Sequence, residues 1–445
     1  MRPKQTPKAR HDDLFRARLD QIINMRHALV ILADKIDWTW LDDELADCFS
    51  DEGRPAEPVR FMLGMFMLKH TYGLLDEQVW DRWVHDPYFQ YFTGEAFFQH
   101  ALPHERSGMS HWRERIGDHL DSLLAETLRL AHDTGALKKS DLARVTVDTT
   151  VQPKNVTFPT DAKLLETAIQ QLGKLARTHG VPLRQSYSRL AKRAAMMAGR
   201  YAHAKQFKRM GRELRFLRTR LGRLIRDIRR KTRDDTDLEE AFAVALGRAS
   251  QIRSQKQRQR GWKLYSWHAP ETECIGKGKA HRPYEFGCKV SLTTTNRRCK
   301  GGQFAIHAKA LPGRPYDGHT LKTVIPEIEA LTGATLKRIL ADAGYRGHNA
   351  PGIYKLRVFT TGQKRRVTPA IKRLMKRRAA VEPVIGHLKG GHRMERNYLA
   401  HKQGDAINPI LAAAGYNFRL ILKWIRLLWF YFCYARENIQ PAKTA

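Results

Sequence analysis

The sequence predicts an α+β multidomain protein: a helical N-terminal region, a mixed sheet flanked by helices, and a basic helical insertion. Three observations predict it. At 445 residues the chain exceeds one ordinary domain. Apolar residues crowd helical runs in the first third, whereas β-branched runs bounded by Gly and Pro follow Gly261. Between them, Leu183 to Ala269 contains no proline and carries a heptad spacing.

Taken in order, residues 12–135 read as helical. Val59, Phe61, Met62, Leu63, Met65, Phe66 and Leu68 make one almost wholly apolar helix, and shorter helices follow around Asp76–Val84 and Ser110–Arg129. Short helices with tight connections can build a helix-turn-helix unit; an ordinary bundle or dimerisation domain is the alternative. Ala143–Thr150 alternates β-branched residues and reads as a strand. Met210, Leu214, Leu217, Leu221, Leu224 and Ile228 are spaced 4, 3, 4, 3, 4, a heptad seam that predicts a helical hairpin or short coiled coil, closed within the chain or between two copies. Glu285–Thr295 and Gln303–Ala310 read as strands, Leu321–Leu331 as a helix, and Thr335–Ala341 and Tyr354–Thr360 as further strands. A basic helix starts after Thr368, with Thr368 as N-cap and Pro369 at N1.

Lys and Arg number 79 against 45 Asp and Glu, a formal charge of +34. Such self-repulsion is out of place in an enzyme of small neutral substrates and points to a polyanionic partner. The charge is uneven. Asp12–Glu57 holds 12 acidic and 5 basic residues; Arg184–Arg233 holds 18 basic and 2 acidic. Arg212, Arg215, Arg218, Arg223, Arg226 and Arg229 line the outside of the seam without acids to pair with, so phosphate neutralisation accounts for them better than helix ion pairs do.

The five cysteines are scattered and form no C-x-x-C pair, which excludes a disulfide scaffold and a typical zinc knuckle and fits a reducing compartment. His268, Glu271, Glu273 and Cys274 cluster, but with no second matching group they make weak zinc evidence. The first ten residues lack a signal peptide's apolar stretch, and the uncharged run Leu427–Ala435 is too short to span a bilayer. The expectation is a cytoplasmic protein of bacterial style, nucleoid-associated when bound to DNA, with no membrane partner. No Walker A loop or G-x-S-x-G elbow is present.

Two predicted strands end in aspartate, Asp148 in RVTVDTT and Asp342 in ILADAGYRG. Alone, each is an ordinary turn or cap residue. Glu382 stands between Arg378 and Lys389 at offsets of 4 and 7, on one face if the helix is continuous, although Pro383 should kink it or start a new helix. Phosphodiester cleavage needs charge neutralised on the attacking and leaving oxygens. Two Mg²⁺ ions about 4 Å apart on carboxylates from separate elements do this.

These residues lie in blocks that resemble the DDE transposases of bacterial insertion sequences, in the insertion-sequence-five branch. Arg54–Gly94 is similar to that group's helical N-terminal domain. VTVDTTVQPKN, ECIGKGKAHRPYEFGCKVSL, PYDGHTL, LADAGYRG and VEPVIGHLKGGHRMERNYL resemble its catalytic blocks. The signature Y-x2-R-x3-E-x6-K matches at Arg378, Glu382 and Lys389, with Met375 where the tyrosine would stand. The resemblance implies a helical DNA-binding or dimerisation domain over 1–140 and a ribonuclease H-like catalytic domain over 141–400. A basic insertion at about 160–262 interrupts the latter, and a C-terminal helix and tail occupy 401–445. It implies Asp148, Asp342 and Glu382 as catalytic metal ligands, two Mg²⁺ ions with Mn²⁺ able to substitute, and double-stranded DNA (terminal inverted repeats and target) as partner of a homodimer. Arg378, Lys389, Lys277, Lys279, Tyr345 and Arg346, with the arginine stripe, are the expected DNA contacts; His281 and Arg282 extend the group at Lys277. An inactive or domesticated DNA-binding relative, a hydrolysis-only nuclease and a structural RNA-binding protein are the alternatives.

Overall fold

The computed structural model describes residues 17–438 except 51, 53, 54, 258 and 277–282; the side chains of 118 and 435–438 lie outside the description as well. The chain divides into two compact units, Lys154–Gly287 and the remainder.

The larger unit begins with helices α1 (Leu19–Ile22), α2 (Ala28–Lys35), α3 (Trp38–Glu44), α4 (Val59–Tyr72), α5 (Asp76–His85), α6 (Pro87–Phe92), α7 (Gly108–Ile116), α8 (Asp121–Asp133) and α9 (Lys139–Leu142). Their ends follow local chemistry. Asp37 caps α3 through the Trp40 N–H, and Asp86 caps α6, where Pro87 takes the first position. Gly73 ends α4 at φ 69°, a conformation that suits glycine. The apolar run expected at Val59–Leu68 is α4, buried from Phe61 to Thr71. A helix apolar on every side needs cover on every side; α3, α5, α7 and the C-terminal helix α17 (His401–Asn438) provide it.

The sheet follows: β1 (Arg144–Pro153), β3 (Tyr284–Thr295), β4 (Ala305–Leu311), β5 (Arg338–Ala341) and β6 (Val358–Thr360), with β2 (Glu273–Gly276) considered below. Its order is β4-β3-β1-β5-β6. β3 and β4 are antiparallel with an irregularity at Thr293/Thr294, whereas β1, β5 and β6 run parallel. Val145, Thr146 and Val147 are buried on both faces of β1, as befits a central strand with both faces covered. Helices α14 (Leu321–Thr332), α15 (Pro369–Arg377) and α16 (Val381–Gly391) complete this unit. Thr368 caps α15 through the Ile371 N–H, as expected. A 3-10 turn at Arg378–Ala380 separates α15 from α16, so Arg378, Glu382 and Lys389 do not lie on one continuous α-helix. No helix among the described residues is long and apolar enough to cross a membrane.

The smaller unit holds four helices, α10 (Asp161–Thr178), α11 (Ser188–His203), α12 (Phe207–Thr232) and α13 (Thr236–Ser254), and the pairing of β2 with the first residues of β3. The expected hairpin or coiled coil is thus a four-helix cluster with its own core. Leu217, Leu221, Leu224 and Ile228 of the seam meet Leu165, Ile169 and Leu172 of α10 and Phe242 and Ile252 of α13. These four seam residues are at most 1% exposed, so this part of the seam closes within the chain, while Met210 and Leu214 at its start are half-buried. Ala191, Ala194 and Ala198 form the buried face of α11, where small side chains permit close approach to α12.

Candidate active site

In the parallel pair β1–β5, Val147 is in register with Ala341. The next residues are Asp148 and Asp342. Neighbouring parallel strands in register send side chains of equal level to the same face, so two acids 194 positions apart become neighbours. The Arg378 guanidinium meets both: Nη1 donates to Asp148 Oδ2 at 3.1 Å, and Nη2 lies 3.6 Å from Asp342 Oδ1. Asp148 also accepts the Thr149 N–H at 2.8 Å. Arg378 and Asp148 are nearly covered, while the Asp342 side chain is 49% exposed.

Sequence reasoning missed a third acid, Asp317, in the 3-10 turn Asp317–Thr320 of the PYDGHTL block, which it treated as turn chemistry. Thr149 Oγ1 donates to Asp317 Oδ1 at 2.9 Å, and Lys289 of β3 is ion-paired with the same carboxylate. A Cβ at Gly344 would stand 3.0 Å from Asp317 Oδ2, so a small residue there lets the Asp342 loop approach. The usable signal was Asp317 itself, an acid in a block matching the catalytic domain.

Burial raises the Asp148 carboxyl above its ordinary range. The charges of Asp342 and Asp317 push the same way, while the Thr149 N–H and Arg378 oppose them. Asp148, Asp342 and Arg378 sum to one negative charge; Asp317 and Lys289 cancel. An all-oxygen donor set with excess negative charge suits a hard divalent cation.

Glu382 is exposed in the first turn of α16. That helix packs on β1 through Val381, Val384 and Leu388, which share the core with Val145 and Val147. Its carboxylate does not complete a cluster: among the described residues no group of three or more His, Cys, Asp or Glu could hold a metal ion. Lys389, half-buried, lies seven residues further along α16, about 20° round the axis from Glu382. Met375 packs with Leu340, Phe359 and Ile371.

Tyr345, expected on the DNA backbone, is 1% exposed and belongs to the main core. Burial holds its hydroxyl well above the usual range, so it is a packing residue in this structure and not a surface contact. Arg346 is exposed and donates to the Thr361 carbonyl. Lys277 and Lys279, with His281 and Arg282, lie outside the described residues. In α12, Arg212, Arg215, Arg223 and Arg226 are exposed, as expected. Arg218 is not free: it is paired with Asp161 at 2.9 Å.

Residues 17–115 match the family described as Transposase domain (DUF772), and residues 249–418 match Transposase DDE domain. The second range holds Asp317, Asp342 and Glu382. Asp148 falls outside both, preceding the second range in the sequence. A Rhizobium meliloti relative described as "Uncharacterized protein ORF8 in nfe locus" is 50% identical over 208 residues, which is 46% of this chain and 100% of that relative. No solved structure matches. With both matches resting on transposase domains and two acids of the site meeting at one arginine, the chain belongs to the DDE transposases of insertion sequences.

Proposed function

We propose that this transposase, of the insertion-sequence-five branch, binds the terminal inverted repeats of its element. It then cuts the DNA ends and joins the freed 3′-hydroxyl to target DNA, working as a homodimer on DNA in the bacterial cytoplasm. The observation that carries the reading is the convergence of Asp148 and Asp342 on Arg378 at paired parallel strands. The strand order supports a ribonuclease H-like core: with β2 set aside, Asp148 lies on the first strand and Asp342 follows the fourth. Outside that core, 1–140 would serve DNA binding or dimerisation, and the insertion at about 160–262 would present Arg212, Arg215, Arg223 and Arg226 to phosphates.

Asp148 and Asp342 are the residues that would hold divalent metal, Mg²⁺ with Mn²⁺ able to substitute, and Glu382, which forms no three-acid cluster with them in this structure, would have to move to join them on metal and DNA binding. When bound, two such ions supply charge neutralisation on the attacking and leaving oxygens. The chain does the rest. Asp317 orients Thr149 beside Asp148 and is a positioning residue. Arg378 neutralises a phosphate at the acid pair, and Lys389 another further along α16. Arg346 contacts the backbone beside Asp342.

The test is a labelled terminal-repeat duplex incubated with Mg²⁺ and purified protein. Wild type yields nicked ends and joined products; Asp148→Asn and Asp342→Asn retain binding and cut nothing. Wild-type cutting by Asp148→Asn would refute the assignment. Cut ends without joined products would reduce the protein to a hydrolytic nuclease.

A further inference from the structure

We infer that the C-terminal tip of α17 is the self-association surface of this chain, and that it is covered by the same tip of a second copy. Leu427–Phe432 and Tyr434 are 37–65% exposed. Upstream the same helix is ordinary: Phe418, Ile421, Leu422 and Ile425 are at most 5% exposed, while Arg419, Lys423 and Arg426 face water. From Leu427 that division ends. Eight successive residues at 100° each pass round the whole axis, so the tip has no polar side. A helix apolar all round is one that something surrounds.

The patch continues beyond the helix. The Arg26 guanidinium lies 5.3 Å from the Trp429 ring centre, and Met25 and Ile22, close to it in sequence, are 39% and 56% exposed. Aromatic residues, Met and Arg together are the make-up of protein interface cores. Residues 1–16 and 439–445 bring only Met1, Leu14, Phe15 and Ile439 as large apolar side chains, too few to cover seven. A membrane surface takes a helix with one strongly polar face, which this tip lacks.

A second copy fits on area and on charge. At about half exposure, five aromatic and two leucine side chains offer about 600 Å² per copy. Two copies face to face remove about 1,200 Å², the lower end of a stable interface, and Met25 and Ile22 add to it. The chain carries +34, so two copies repel except where no charge is met, and Leu427–Tyr434 is uncharged. A two-fold contact needs only one such self-complementary patch.

The inference deepens the pairing of two copies proposed above but does not rest on the chemistry: a dimer that never cuts DNA leaves this surface standing and refutes only the catalytic reading. The test is light scattering on the full chain, without DNA, over a dilution series. Wild type is expected at twice 51.3 kDa and Phe430→Asp/Tyr431→Asp at 51.3 kDa, with the same circular dichroism. Should that double variant fail to fold, Tyr434→Ser is expected to move the dilution midpoint at least about tenfold towards monomer, about 1.4 kcal/mol. Monomeric wild type overturns the inference, as does a folded double variant that stays dimeric or an unmoved midpoint in Tyr434→Ser. Monomeric wild type that floats with phosphatidylcholine vesicles would assign the tip to a membrane surface instead.

Discussion

Asp76 and Asp148 are both carboxylates held by arginine, and they behave in opposite ways. Asp76, at the start of α5, receives Lys69 at 2.6 Å and Arg113 at 2.7 Å, both nearly buried. Burial raises its carboxyl, but the two cations outweigh it and hold it well below the usual range. Asp148 has one arginine, which it shares with Asp342, and Asp317 adds a further negative charge nearby. Its carboxyl is raised. The helical region balances its buried charge for stability. The sheet leaves its acids under-neutralised, which costs stability and suits a site that awaits cations.

The sharpest way to break this comparison is to remove each acid. Asp148→Asn should lower DNA cleavage on the order of a thousandfold or more and leave urea stability unchanged or slightly higher. Asp76→Asn should cost about 3 kcal/mol, because two nearly buried cations lose their partner. The pH slopes should also have opposite signs. Asp76, with its folded pKa depressed, contributes stability above its unfolded value of 3.8 that is lost as pH falls through the folded value. Asp148, with its folded pKa raised, holds its proton longer when folded, so its contribution falls as pH climbs from 3.8 through the folded value. Urea midpoints against pH should show the acid-side loss shrinking in Asp76→Asn and the opposing slope vanishing in Asp148→Asn. Equal slopes in the two variants would dissolve the distinction.

A smaller effect falls on Asp317. Asp317→Asn should slow cleavage about ten- to a hundredfold and shift its pH profile, by altering the Thr149 contact and the charge beside Asp148, while terminal-repeat binding is unchanged. A loss as complete as that of Asp148→Asn would make Asp317 a metal ligand and not a positioning residue. The smallest effect separates two arginines of α12. Arg223→Ala should flatten log K against log salt for DNA by about one unit. Arg218→Ala should leave that slope alone and cost at most about 1 kcal/mol of stability through the Asp161 pair. Identical slopes for the two would remove the distinction between free and paired cations on this helix.

Much of the fold was legible. β3, β4 and α14 lie within two residues of their expected bounds, and β1 starts one residue late and runs three residues further, to Pro153, because β-branched alternation and Gly/Pro turns are local signals. β5 and β6 begin later than expected, at Arg338 and Val358, since a strand lasts only as long as a neighbour pairs with it. The α12 seam was legible as a period but not as a partner: the same heptad serves a coiled coil or a four-helix core. Asp317 escaped because turns and sites use the same residues, and nothing local tells an Asp that caps a turn from one that faces another acid. Tyr345 was read as a DNA contact because it follows Asp342 closely in the sequence, and only packing shows that its ring is buried.

Composition and block patterns alone determined the polyanionic partner, the mixed architecture and two acids at strand positions, because charge balance and periodicity are properties of the chain itself. The three-dimensional arrangement decided which charges neutralise which. The register of β1 against β5 makes Asp148 and Asp342 neighbours, and the 3-10 turn at Arg378 sets one guanidinium between them. Such pairings depend on distances of a few ångströms between residues up to 230 positions apart, and electrostatic energy follows that distance, not separation along the chain.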